Sequence, residues 1–316
     1  MRYKVFGKTG MLVSAMTLGT WGMGGVGWDN YDEETKVDAI AAAIDKGINF
    51  FDTAPAYNGG EAEKFLGRTF KRLGVRDKIL ISTKTGNVFI NGTTYRRDGR
   101  YDSIMKQVED SLRNLETDHV DLMLIHWPDV NTPFEETMRA LNKLKEDGKI
   151  LHIGISNFSI EQMKEIEQYG DIEAFQPHYS MVNREQEPII LSAAADGMGI
   201  MTYGSLGGGI LTGAFRELRE FSEVDSRNRF YKHFHEPMFS KVQELLKVMD
   251  AVSEKNGGVP LSQIALNWNS QKEFVSTCIV GAQTRAKVEQ NAAAFEWSLS
   301  AEDIATLDAA IAKLDE

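Results

Sequence analysis

The sequence predicts an α/β fold: a TIM-type (β/α)8 barrel with an N-terminal β-hairpin and extra C-terminal helices. Short apolar runs of strand length alternate with helix-period segments, eight times over 316 residues. Eight such units close a barrel, whereas open doubly wound sheets usually carry fewer strands. No G-x-G-x-x-G follows the first strand, as an open dinucleotide-binding sheet would require. Residues 1–316 read as a single domain, with no repeat beyond the βα period, no low-complexity tract and no linker.

In order along the chain, Val5–Val13 forms a small hairpin turning at Lys8-Thr9-Gly10. Strands are expected at Ala15–Leu18, Ile48–Phe51, Ile79–Thr83, Leu122–Ile125, His152–Ile155, Ala174–Gln176, Gly199–Thr202 and Val275–Val280. Between them, Glu33–Lys46 is apolar at Val37, Ile40, Ala41 and Ile44, and Tyr101–Leu115 at Ile104, Val108, Leu112 and Leu115, both at the helical period. Thr132-Pro133-Phe134-Glu135 and Ser159-Ile160-Glu161-Gln162 read as capping boxes, the former with proline at the first helical position. Asp147-Gly148 and Asp196-Gly197 stop helices just before strands. A plain barrel needs ~250 residues. The surplus is assigned to Gly86–Gly99, to Phe215–Glu236 with the helix after it, and to a terminal helix Ala301–Leu314.

Composition narrows the function. The chain is 42% apolar and 26% charged, with a net charge of −11, so it offers no electrostatic footprint for nucleic acid or an anionic membrane. No apolar stretch approaches the ~18 residues of a membrane span, and Met1–Val5 opens no signal-peptide core, so a cytoplasmic protein is expected. The one cysteine, Cys278, lies in an apolar run and reads as a buried, inert thiol. No metal is expected: the six histidines make no H-x-x-x-H pair, and His233 and His235 read as surface.

Asp52, Lys84 and His126 stand where the second, third and fourth strands end, and Tyr57 lies five residues past Asp52. Barrel enzymes place their chemistry at this carboxyl-terminal rim. Singly, each has an ordinary reading: a helix cap, a surface lysine, a satisfied core histidine, an amphipathic rim tyrosine. Together they make a general acid. The ammonium of Lys84 is expected to lower the phenol pKa, Asp52 to pair with Lys84, and His126 to hold a substrate oxygen.

With these residues in place, the chain resembles the aldo-keto reductase family over nearly its whole length. The segments Gly47–Tyr57, Ser82–Lys84, Val120–Pro128, Gly154–Phe158 and Tyr203–Gly209 carry the resemblance. It implies a nicotinamide-dependent carbonyl reductase with a tetrad of Asp52, Tyr57, Lys84 and His126, Tyr57 being the proton donor. It implies Ser156, Asn157 and Gln176 on the carboxamide, Tyr203 stacked on the nicotinamide ring, and Thr20, Trp21 and Asp52 beside it. Gly204, Ser205, Leu206 and Gly208 would follow the pyrophosphate, and Gly281, Ala282, Gln283, Arg285, Lys287, Gln290 and Asn291 the adenosine. Gly208 and Ala214 stand where many relatives carry longer polar or basic residues, and Gln283 where a basic residue often follows the Gly-Ala pair. NADPH is the expected cofactor, through Arg285 and Lys287, with NADH as the alternative. Trp21, Trp28, Tyr57, Phe89, His126 and Trp127 are the candidate walls of a pocket for a small carbonyl or alcohol substrate. An NAD-dependent alcohol or sugar dehydrogenase, or a regulatory subunit with incidental turnover, are the competing readings.

Overall fold

The computed structural model describes residues 1–25, 31–91, 94–221, 225, 227 and 230–315. Eight parallel strands close a barrel in chain order: β3 (Met16–Gly19), β4 (Phe50–Asp52), β5 (Leu80–Thr85), β8 (Val120–Ile125), β9 (Ile150–Ser156), β10 (Ala174–Gln176), β11 (Gly199–Thr202) and β12 (Thr277–Gly281). Each lies within two residues of its expected run. The numbering leaves room for the N-terminal hairpin β1 (Tyr3–Val5) and β2 (Leu12–Ser14), and for a second hairpin, β6 (Asn87–Asn91) with β7 (Thr94–Arg97), in the long segment after β5.

The first six helices cover the outside of the barrel: α1 (Glu33–Asp45), α2 (Glu61–Leu73), α3 (Tyr101–Leu115), α4 (Phe134–Glu146), α5 (Ile160–Ile166) and α6 (Glu187–Ala195). Their apolar stripes meet the outward strand residues in one continuous core, as with Ile104, Val108 and Leu112 of α3. Of the C-terminal helices, Leu261–Ser270 is tied to Ala301–Ala312 where Trp268 Nε1 donates to Asp308.

A second, smaller cluster lies inside the barrel: Phe50, Leu122, Leu124, Ala174, Met201 and Ile279, closed from below by Phe6 and Val13 of the N-terminal hairpin. Phe6 meets Phe50 edge-on at 5.8 Å. Gly199 makes room for it, since a Cβ there would sit 2.7 Å from the Phe6 ring. Side chains alternate along a strand, so the inward positions after this apolar floor are Asp52, Ser82, Lys84 and Gln176. The interior thus changes from apolar at the bottom to polar at the rim.

Two local expectations fail. Thr132 does not cap α4: its hydroxyl donates to Asp129 instead, and the helix starts after Pro133 with no side-chain cap. Asp129 competes successfully because its carboxylate also gathers the amides of Gly99 and Asn131. His233 is not at the surface; it is buried, with Nε2 on the Gly207 carbonyl. By contrast Ser159 forms a full capping box with Gln162, and Gly148 and Gly197 adopt left-handed φ of 71° and 79° past their helices. Cys278 is buried, and burial pushes its thiol up to about 12. Among the described residues no helix is long and apolar enough to cross a membrane.

Candidate active site

Strand register sets the cluster. Asp52 pairs with Ser82 across β4 and β5, and Lys84 with Leu124 across β5 and β8, bringing a carboxylate, a hydroxyl and an ammonium to one inward layer. Lys84 is 1% exposed and Asp52 2%. The Lys84 ammonium donates to Asp52 Oδ2 at 2.8 Å, to the Thr53 carbonyl at 2.8 Å and to the Tyr57 hydroxyl at 3.1 Å. Asp52 Oδ1 accepts from Ser82 Oγ and from Gln176 Nε2, both at 2.9 Å. A buried ion pair of this kind is tolerable only because its remaining donors and acceptors are also satisfied.

Electrostatics follow from this geometry. Burial weighs against the charge on Lys84, but Asp52 and Tyr57 outweigh it, and its pKa lies above the ordinary lysine value. Burial raises the Tyr57 phenol above its ordinary value, and the Lys84 charge pulls it down without overcoming burial, contrary to the expected lowering. Burial, then the Lys84 charge, hold the His126 imidazole well below its usual range, so the ring is neutral. Its Nδ1 is buried with no hydrogen-bond partner among the described residues. An orphaned lone pair is less costly than an orphaned N–H, so the proton belongs on Nε2. The His126 and Tyr57 rings meet edge-on at 6.3 Å.

A second group joins this one. Asn157, at a left-handed φ of 61°, donates to the His126 carbonyl and to Ser156 Oγ, and accepts from the Tyr203 hydroxyl at 2.8 Å. Ser156 Oγ donates to the Gln176 carbonyl. Thr20 is buried, with its amide and hydroxyl on the Asp52 carbonyl. Behind Tyr203, His178 stacks at 4.9 Å and 9°. Gly204 is needed there, with φ 70° and a would-be Cβ 2.5 Å from the His178 ring; Gly208, φ 63°, is likewise closed in by Tyr231 at 2.9 Å. Ser205 is buried with its hydroxyl between the Thr202 and Ile279 carbonyls, and Leu206 packs on the core. The Gly-rich segment is therefore fitted closely to its own aromatic backing.

The adenosine candidates lie apart. Gly281 ends β12, Ala282 is buried, and helix Arg285–Ala292 starts from Thr284, whose hydroxyl caps Lys287. Gln283 packs against Gly22, where a Cβ would sit 2.6 Å from its Nε2, and its Oε1 is buried without a partner among the described residues. Arg285 grips Asp38 of α1 through Nε and a terminal nitrogen, and lies within ion-pair distance of Asp45 and Glu289. Lys287 lies 3.3 Å from the Tyr31 hydroxyl. Gln290 turns away to Ser262, while Asn291 is buried.

Trp21 stacks on Tyr57 at 6.2 Å, Phe89 covers Gly59 in the loop that carries Tyr57, and Trp127 follows His126. Trp28 lies outside the described residues. Phe230, which the sequence did not single out, meets Trp21 at 6.1 Å and His178 at 5.5 Å. Ser82 was also missed, although it stands two residues before Lys84, on the same inward face.

A nicotinamide dinucleotide fits these donors. A carboxamide suits the Ser156–Asn157–Gln176 group, the Tyr203 ring has one face backed by His178, and the orphaned Gln283 acceptor awaits a donor.

Comparison with known proteins agrees. The model of the Aldo/keto reductase family matches residues 15–312. Aldo-keto reductase YhdN of Bacillus subtilis is 36% identical over 96% of this chain and 91% of its own length. The NADH-specific methylglyoxal reductase of Escherichia coli is 31% identical over 94% of each. The solved glycerol dehydrogenase AKR11B4 from Gluconobacter oxydans superposes with a TM-score of 0.87 at 34% identity, covering 96% of this chain and 93% of that one.

Proposed function

The chain belongs to the aldo-keto reductase family and is an NAD(P)-dependent oxidoreductase, and from that premise we propose that it interconverts small aldehydes or ketones and their alcohols, with Tyr57 as the acid. A bound nicotinamide supplies the hydride. One observation carries the assignment: Lys84 spends its three ammonium protons on Asp52, Thr53 and Tyr57. An ammonium only donates, so the Tyr57 oxygen accepts from it. The phenol's own proton then points away from Lys84, toward the side where Trp21 and His126 stand.

The roles follow. Burial keeps Tyr57 protonated until a developing alkoxide needs the proton. The Lys84 charge then stabilises the phenolate left behind, and Asp52 keeps that charge in place. His126, neutral with its proton on Nε2, donates to the substrate oxygen and orients the carbonyl. Tyr203, Asn157, Ser156 and Gln176 orient the cofactor's nicotinamide end; the Gln176–Asp52 bond ties that group to the acid. Replacing Tyr57 by Phe is expected to cut kcat by at least ~10² while cofactor still binds. Near-normal turnover would remove Tyr57 from this role.

For the cofactor, the reading favours NADH over the NADPH expected from the sequence. A 2′-phosphate carries close to two negative charges and needs an uncommitted cation. Arg285 is already surrounded by Asp38, Asp45 and Glu289, leaving the point charge of Lys287, over the Tyr31 ring, to meet a phosphate. A ribose hydroxyl, in contrast, can donate to Gln283. Dissociation constants for both cofactors test this; tighter NADPH binding would reverse it. The methylglyoxal reductase and glycerol dehydrogenase among the relatives make small oxygenated three-carbon carbonyls the first substrates to assay.

A further inference from the structure

The hairpin β6–β7 after the Lys84 strand packs on the loop that carries Tyr57. Its register sets Asn87 opposite Arg97 and Phe89 opposite Tyr95, and directly opposed residues share a face. That face is turned to the site: Phe89 covers Gly59, and the Tyr95 hydroxyl donates to the Ala56 carbonyl, both in the Tyr57 loop. On the same face the Arg97 guanidinium lies 5.0 Å over the ring of Trp127, next to His126.

Its neighbours behave differently. Arg96 and Arg100 both close on Asp98, at 3.0 and 2.6 Å, and that carboxylate is buried beneath them. The Arg97 side chain has no hydrogen bond and no ion pair among the described residues; its one contact of this kind is the indole. Arg139 is also held by a ring alone, that of Tyr101, but on the outer helix α4. Stacking fixes the guanidinium plane and leaves its N–H edges open in the fork that matches a phosphate or carboxylate. On a chain of net charge −11, such a group selects for anions locally where the molecule as a whole repels them.

We propose that Arg97 is a specificity residue that binds an anionic group, phosphate or carboxylate, at the far end of the carbonyl substrate, while Tyr57 and His126 hold the carbonyl. This rests on the reductase reading above. Matched pairs test it: glyceraldehyde 3-phosphate against glyceraldehyde, and succinic semialdehyde against butanal. Arg97→Ala is expected to lower kcat/KM for the charged member about tenfold more than for the neutral one, the lower end for a charge-assisted bond because Arg97 is exposed. Arg97→Lys should restore part of the preference. The pair that responds identifies phosphate or carboxylate as the group read.

Calorimetric binding of glycerol 3-phosphate and of glycerol to the cofactor-loaded protein reads the same site without turnover. A tenfold weaker glycerol 3-phosphate complex in Arg97→Ala supports the proposal even if no aldehyde is reduced, an outcome that would overturn the reductase reading alone. Equal losses on charged and neutral partners in both pairs would sink it, as would glycerol 3-phosphate binding indifferent to Arg97 in an enzyme whose succinic semialdehyde preference is also unmoved by Arg97→Ala.

Discussion

The cluster at Lys84 and the helix start at Arg285 are both cations held by carboxylates, and they are built in opposite ways. The Lys84 and Asp52 side chains are 1% and 3% exposed, on adjacent strands, with every ammonium proton assigned. The Arg285 and Asp38 side chains are 40% and 51% exposed, on two surface helices, with spare carboxylates nearby. The first arrangement is fixed by backbone register and can direct a proton. The second is a solvated balance of charge, suited to tuning which ligand is welcome. On the proposed function, rigidity belongs with the chemistry and adjustability with the cofactor choice.

The difference can be broken most sharply at Lys84. Lys84→Met is expected to cut kcat by at least ~10² and to cost about 3–5 kcal/mol of stability, since it leaves Asp52 buried and unpaired. Removing Asp52 as well should add little to the rate loss, because the two act on Tyr57 as one unit. Additive losses in a double-mutant cycle would mean that they act separately.

A second test uses pH. Burial lowers His178 and His233 to about 4. Their folded values lie below the ordinary 6.5, so the unfolded chain takes up protons first as pH falls. Their contribution is full above pH 6.5 and is lost progressively toward pH 4. Thermal unfolding followed across that window should show the decline, and His233→Gln should flatten it. An unchanged slope would mean that these rings do not titrate with unfolding.

The smallest effects are expected at the exposed end. Asp38→Asn with Asp45→Asn should improve NADPH binding about threefold relative to NADH, leaving kcat within twofold, with the gain fading as salt rises. A fall in kcat comparable to that of Lys84→Met would erase the distinction between the two ends.

How much of this could be read beforehand depends on the length scale of the interaction. The strands were legible because apolar runs and turn residues are local signals, and three of the four proposed catalytic residues stood at strand ends for the same reason. The bond from Gln176 to Asp52 spans the barrel across 124 residues, and the Arg285–Asp38 pair joins positions 247 apart; no spacing announces either. His233 was misread because an irregular stretch has no period to reveal its buried side. Ser82 was within reach, since alternation from Lys84 points to it. Thr132 carried a correct capping pattern and lost it to a better acceptor, Asp129.

Phe6, which closes the floor of the barrel, has a consequence for the order of assembly. It needs the space above Gly199, and in the same N-terminal segment Arg2 bonds Ser270 and Ser298 while Lys4 bonds the carbonyls of Ser270 and Val275. During synthesis Arg2, Lys4 and Phe6 must therefore wait for partners at Gly199, Ser270, Val275 and Ser298. Asp52, Tyr57, Lys84 and His126 are all made long before the floor can shut. The N-terminal segment accordingly cannot complete these contacts until residues near 298 have been made.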